Sequence, residues 1–362
     1  MQILQDRRAL HRIPELGSNL PKTMQYLENA LRGLSCKVFS PMESALCAWF
    51  DFGKEKAIAF RADADALPVT EKTKAPYASA HDGAMHACGH DGHMAILLEL
   101  ARRLDSQKAA GSNVLLVFQP AEETTGGAKD LCDTGVFETY GVEAVFGLHL
   151  WPGLAAGTVA SREGEMLSRA SEITVAVTGR SAHIAKAAEG IDAMAAVTEF
   201  YSRAVAMEQS MDPGIYRLLK FGKLECGTVR NAIAGEARLE GSLRTFDDAV
   251  FAAMQCSLQQ IATEIENRLG SQFTLHYSEG YPAVVNPPEL YKKVRTWAAF
   301  TRLEAPSMIA EDFSWYQRHL PGMFFFLGIG NTPALHADTF DFDETILLKG
   351  ADFFEKLAVN YR

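Results

Sequence analysis

The sequence predicts an α/β protein: a mostly parallel sheet flanked by helices, interrupted by a smaller βαββαβ module. Three observations carry this. Short apolar runs without alternation occur at AIAFRA (57–62), VLLVFQ (114–119), AVFGLHL (144–150) and MFFFLGIG (323–330). Strands buried on both faces read this way, and they belong to parallel sheets covered by helices. Helical patterns lie between and before these runs. The middle of the chain reads strand, helix, strand, strand, helix, strand, the order of the split ferredoxin-like unit.

Taken in order, residues 6–34 read as helical, and a second helix starts near Gly92 with Met94, Leu97, Leu98, Ala101 and Leu104 on one face. The central module comprises EITVAVTG (172–179), a helix over 190–208, RLLKFGKLE (217–225), EARLEGSLRTF (236–246), a helix over 247–269 and QFTLHYS (272–278). Residues 169–277 are therefore expected to form a domain inserted into a first domain made of residues 1–168 and 278–362. The length of 362 residues suits two domains. There is no internal repeat.

A net charge of −10 argues against nucleic acid or an anionic membrane as the main partner, since both call for basic patches. The opening MQILQDRRALHRIPELG carries charges where a signal peptide needs an apolar run, and no stretch approaches membrane-spanning length. These features point to the cytoplasm. The six cysteines stand singly, without a framework spacing, so they are expected to be reduced.

Open parallel sheets bind ligands beyond the carboxyl ends of their strands. Polar groups able to hold a cation follow or finish every apolar run: Asp63 and Asp65, then Glu122 and Glu123, then His149, then His336. MHACGHDGHMA (85–95) adds Cys88 and His90 just before a helix. Singly, each has a plain reading: packed or surface histidines for His149 and His336, a solvated pair for Glu122 and Glu123, a capped turn for Asp63 and Asp65. Their shared position after buried strands favours a site.

The 85–95 cluster admits three readings. Cys88 at a helix start could be a nucleophile with a histidine base. A structural zinc site would be closed by four Cys and His ligands. A mixture of carboxylate, imidazole and one thiolate instead suits a catalytic centre with open positions, holding one or two ions. His86 and His93 stay unassigned, as structural or supporting residues.

The motifs RRALHRIPELG (7–17), FRADADALPV (60–69), MHACGHDGH (85–93), QPAEE (119–123), GLHLWP (147–152), AEDFSWY (310–316) and FFFLGIG (324–330) resemble those of metal-dependent amidohydrolases. That group includes hippurate hydrolases, N-acetyldiaminopimelate deacetylases, bacterial aminoacylases and hydrolases of indoleacetyl amino acids. The likeness spans nearly the whole chain and implies a zinc-exopeptidase-like catalytic domain with an inserted lid or dimerisation domain.

The resemblance implies that Cys88, His90, Glu123, His149 and His336 hold divalent ions, two per subunit (Zn, Mn, Co or Ni), with Cys88 bridging. It implies Glu122 as general base and Asp65 as a residue orienting a ligand. In more distant carboxypeptidase relatives a ligating histidine stands where this chain has Asp63. His183 in GRSAHIA would reach the neighbouring subunit's site in a homodimer to steady the oxyanion, while Asn231 and Arg244 would hold the substrate. Arg244 suits a carboxylate, which a guanidinium binds bidentately. The substrate implied is an N-acyl amino acid. The alternative from another class is a non-catalytic binding protein for acylated amino acids on the same fold.

Two departures from the family pattern stand out: HIAKAAEG has no proline after His183, and the usual Asn-Val-Ile-Pro reads Asn231-Ala232-Ile233-Ala234. Lost prolines leave both loops less restrained.

Overall fold

The computed structural model describes residues 1–107 and 110–362. Contacts divide the chain into two compact units, one of Met1–Met166, Val285–Pro306 and Asp312–Arg362, the other of Leu167–Val284 and Ser307–Glu311.

The first unit is built on an eight-stranded sheet. Its centre is parallel: Asn113–Gln119, Ala57–Asp63, Val142–Trp151 and Gly322–Gly328 lie side by side and run in one direction. Antiparallel strands close the flanks, Leu46–Phe50 beside Asn113–Gln119 and Val159–Ser161 beside Gly322–Gly328. Three of the four central strands are buried at every residue, so the uninterrupted apolar runs mark strands covered on both sides.

Alternate residues divide between the two faces. Ile58, Phe60, Leu116, Phe118, Phe146 and Phe325 join Leu97, Leu104, Leu347 and Phe354 in the main core. The residues between them include Arg61, Asp63, Gln119 and His149, which therefore share the opposite face. Gly147 is required on that face. A Cβ there would come within 2.8 Å of the Phe313 and Phe324 rings.

The expected helical stretch over 6–34 is instead two helices, Gln2–His11 and Pro21–Leu31. Pro14 lacks an N–H, Gly17 has φ +59, and Pro21 suits the first turn of a new helix. Leu20 offers no side-chain cap, and the Glu15 carboxylate substitues by accepting the Thr23 N–H at 2.9 Å and the Lys22 N–H at 3.2 Å. The helix expected near Gly92 spans His90–Gln107.

In the second unit the strands Gln272–Tyr277, Arg169–Thr178, Glu236–Thr245 and Arg217–Cys226 form an antiparallel sheet in that spatial order. Numbered along the chain, this is 4-1-3-2. Helices Ala193–Ser210 and Asp248–Leu269 supply Phe200, Leu258 and Ile265 to a core shared with Ile173, Val175 and Val177. Each helix begins at an aspartate, Asp192 or Asp247, whose carboxylate accepts two first-turn N–H groups. Among the described residues, no helix is long and apolar enough to cross a membrane.

Candidate metal centre

The parallel central strands bring all their carboxyl ends to one edge of the first unit. There Asp63 ends its strand, Gln119 leads into Pro120–Glu123, His149 lies two residues before the end of its strand, and Gly322–Gly328 leads toward His336. The chain turns sharply at Gly89, with φ +89, between Cys88 and His90. A Cβ at Gly89 would meet Leu150 at 2.9 Å.

The donor atoms converge. Cys88 Sγ lies 3.4 Å from His149 Nε2 and 3.3 Å from His336 Nε2. His90 Nε2 is 3.7 Å from Glu123 Oε1, which is 3.5 Å from His336 Nε2. Two triads result, Cys88–His90–His149 and Cys88–Glu123–His336, and each holds its three donor atoms within 4.8 Å of one another. The sulfur belongs to both.

Hydrogen bonds around the site select the tautomer of the neutral rings. His90 Nδ1 donates to the Asp65 carbonyl at 2.8 Å, and His149 Nδ1 donates to the Leu150 carbonyl at 2.7 Å. A carbonyl can only accept, so in the neutral rings both Nε2 atoms keep their lone pairs for the space around Cys88. His90 Nε2 and Glu123 Oε1 are buried without a hydrogen-bond partner. Orphaned buried acceptors beside a thiol and further carboxylates are costly unless a cation joins them, so the donor set fits a divalent metal.

Asp65 organises the glutamates. Its two carboxylate oxygens accept the backbone N–H groups of Glu122 at 3.0 Å and Glu123 at 3.1 Å. The preceding residue, Ala121, is held at φ +61, a left-handed conformation uncommon outside glycine, and His336 stands at φ +67. Both strained residues flank donor atoms.

The protonation preferences show the charge imbalance of this cluster. Burial, reinforced by Glu123 and Glu122, holds the Cys88 thiol well above the ordinary thiol range. Burial opposes the charged form of His90, yet Asp63, Asp65 and Glu123 outweigh it and lift this histidine to about 10. His149 moves down, through burial and the neighbouring His93. A nucleophilic cysteine needs a lowered pKa. Cys88 has the reverse, which disfavours the thiol-nucleophile reading, whereas a bound cation would deprotonate it.

Three other sequence candidates fall in the second unit. His183 and Asn231 are neighbours: His183 forms an isolated bridge with Ala232, and the Ile184 N–H reaches the Asn231 carbonyl at 3.0 Å. Both side chains are exposed. Arg244 lies on the Glu236–Thr245 strand and donates to the Met308 carbonyl and, at 3.4 Å, to Ser242 Oγ.

Sequence reasoning missed the support behind the ligands. Arg61 is fully buried and donates to Asp63 at 2.8 Å, Gln119 at 2.8 Å and Asp312 at 2.6 Å. His93, read as a structural or supporting residue, contacts Asp63 at 2.5 Å. Its position three residues after His90 on one helix was the available signal, because residues at that spacing share a face.

The model of peptidase family M20/M25/M40 matches residues 59–360. An uncharacterised hydrolase of Staphylococcus aureus (strain bovine RF122 / ET3-1) is 32% identical over 375 residues, covering 99% of this chain and 98% of its own. A solved structure from methicillin-resistant Staphylococcus aureus is similar with a TM-score of 0.93 at 30% identity, over 99% of this chain and 96% of the other. A Bacillus subtilis structure, described as a dinuclear metal binding peptidase, gives 0.87 at 29% identity over 99% and 97% of the two chains. With a family match across most of its length and a near full-length relative, the chain belongs to peptidase family M20/M25/M40 and is a metal-dependent hydrolase.

Proposed function

We propose that this protein hydrolyses the amide bond of an N-acyl amino acid, or a small peptide-like conjugate, releasing a carboxylate and a free amino acid. One observation carries the reading: a single sulfur shared by the triads Cys88–His90–His149 and Cys88–Glu123–His336, with Glu122 beside them in a further donor group with His90 and Glu123. Divalent ions, two per subunit and drawn from Zn, Mn, Co or Ni, would polarise the acyl carbonyl and lower the pKa of water toward neutrality.

The chain's own groups do the rest. Glu122 takes the proton of the attacking water and delivers it to the leaving nitrogen. Asp65 keeps Glu122 in place through its backbone N–H. In His183, Nδ1 accepts the Ala185 N–H at 3.2 Å, which leaves the proton of the neutral ring on Nε2. That tautomer suits His183 of a second copy to donate to the tetrahedral oxyanion. Asn231 and Arg244 hold the substrate, Arg244 by its carboxylate.

A homodimer through the second unit is supported by its edge strand Arg217–Cys226, which pairs on one side only, and by exposed Leu224, Met194 and Tyr201.

The test is hydrolysis of a panel of N-acyl amino acids by protein stripped with chelator and reloaded with each ion. Activity on the panel that returns with metal is the expected result. A metal-loaded sample inert toward the whole panel would overturn the assigned substrate and favour the binding-protein alternative.

A further inference from the structure

We propose that His93 is a positioning residue for the metal ligand His149, acting through the Leu150 peptide groups. The inference rests on the metal-centre reading above and goes one layer behind it.

The strand Val142–Trp151 pairs with Ala57–Asp63 only as far as Gly147 opposite Arg61. Past that point the main chain of the neighbouring strand no longer serves it on that side. Leu150 N–H instead donates to His93 Nε2 at 3.0 Å. A ring nitrogen that accepts cannot carry a proton, so the proton of His93 sits on Nδ1, 2.5 Å from Asp63 Oδ1. Asp63 is itself held, because Arg61 Nη1 donates to its other oxygen at 2.8 Å. Arg61 is anchored in turn by Gln119 and Asp312.

The line therefore runs Arg61, Asp63, His93, Leu150 N–H. It continues on the other side of the same residue, where the Leu150 carbonyl accepts His149 Nδ1–H at 2.7 Å. Each bond fixes the donor and acceptor roles of the next. The result is one tautomer and one orientation for His149, with its Nε2 lone pair facing Cys88. His93 and Asp63 form a further donor group with His90, but His93 Nδ1 and Nε2 are both engaged in these bonds. Without His93, the buried Leu150 N–H would lose its partner, and the residue whose carbonyl orients His149 would lose one of its anchors.

The experiment is cobalt titration of chelator-stripped full-length protein, read by the thiolate-to-cobalt absorption of Cys88 and by the number of ions bound. The wild type should bind two ions with that absorption. In His93→Ala, the ion held with His149 should bind about 10- to 100-fold more weakly, while the ion held by Cys88, Glu123 and His336 stays near wild type. His93→Gln, which can still accept from Leu150 and donate to Asp63, should restore most of the loss. Asp63→Asn supplies an independent reading if His93→Ala does not fold, and should weaken the same ion.

Unchanged cobalt affinity in His93→Ala or Asp63→Asn would overturn the inference. So would an equal loss at both ions accompanied by a lower melting temperature of the metal-free protein, which is the signature of a merely structural role. A wild type that takes up cobalt without any thiolate absorption would sink the metal centre and this inference together, whereas normal wild-type binding with unaltered variants sinks the inference alone.

Discussion

Asp65 accepts the backbone N–H of Glu122 at 3.0 Å, so the proposed base is aimed by a side chain 57 residues earlier in the chain. An asparagine at position 65 has one acceptor oxygen where the carboxylate has two and could serve only one of the two glutamate amides. Asp65→Asn is expected to lower kcat about 10- to 100-fold and to reduce bound metal. Parallel measurement of turnover and metal content by atomic emission checks both effects.

Glu122→Gln keeps the shape of the site and removes the proton acceptor. It should retain the fold and the metal while losing about 100- to 10,000-fold in kcat, the usual contribution of a general base. Near-normal turnover by a fully loaded variant would contradict the role proposed for Glu122. Subunit mixing adds a second arm: inactive Glu122→Gln and His183→Ala chains, once exchanged, should recover partial activity if His183 acts across the dimer.

His11 gives stability a pH dependence of definite sign. Burial works against its charged form, but Asp91 at 2.8 Å and Glu71 at 3.3 Å overcome it and raise the folded-state pKa from 6.5 to about 9. The folded protein thus holds a proton that the unfolded chain releases. This contribution is complete below pH 6.5 and disappears as pH rises through about 9. Urea titrations between pH 6 and pH 10 should show the fall, on the order of 3 kcal/mol, and His11→Gln should flatten it.

Arg7 is fully buried against Asp91 at 2.8 Å, with Asp341 and Glu344 also bonded to its guanidinium. Truncation leaves carboxylates uncompensated in the interior. Arg7→Ala should therefore destabilise the protein by about 3–5 kcal/mol. Denaturant unfolding of the metal-free protein measures this without interference from binding.

Thiol reactivity separates a buried ligand from a nucleophile. With its pKa held up by burial and two glutamates, Cys88 in the metal-free protein should alkylate more slowly at pH 7 than exposed Cys256. Peptide mass spectrometry after a timed iodoacetamide pulse gives the ratio, and preferential labelling of Cys88 would revive the nucleophile reading.

The central sheet was legible in the sequence because burial on both faces leaves an uninterrupted apolar signature, seen in Ala57–Asp63 and Gly322–Gly328. The second sheet was legible for the opposite reason: alternate burial along Arg169–Thr178 writes a period of two. The break between Gln2–His11 and Pro21–Leu31 was overlooked although Pro14 and Gly17 mark it, since the flanking residues keep a helical pattern on both sides. At the metal centre, residue types and their place after strands could be read directly. The sharing of Cys88 between two triads came only through the family resemblance, because residue spacing alone carries no distances between segments far apart in the chain. Neither route gave the part played by His93, whose two nitrogens are committed to Asp63 and to a main-chain N–H that no side-chain pattern records.

Ala121 and His336, both in the left-handed region, bracket the donor atoms from two separate loops. Each is a bend the backbone adopts reluctantly, at a cost of roughly 1–2 kcal/mol apiece. Changes of length in either loop would relax these bends and carry Glu122 or the His336 imidazole off station. Attempts to broaden the enzyme's substrate range by grafting loops should therefore leave these two segments intact and begin elsewhere on the scaffold.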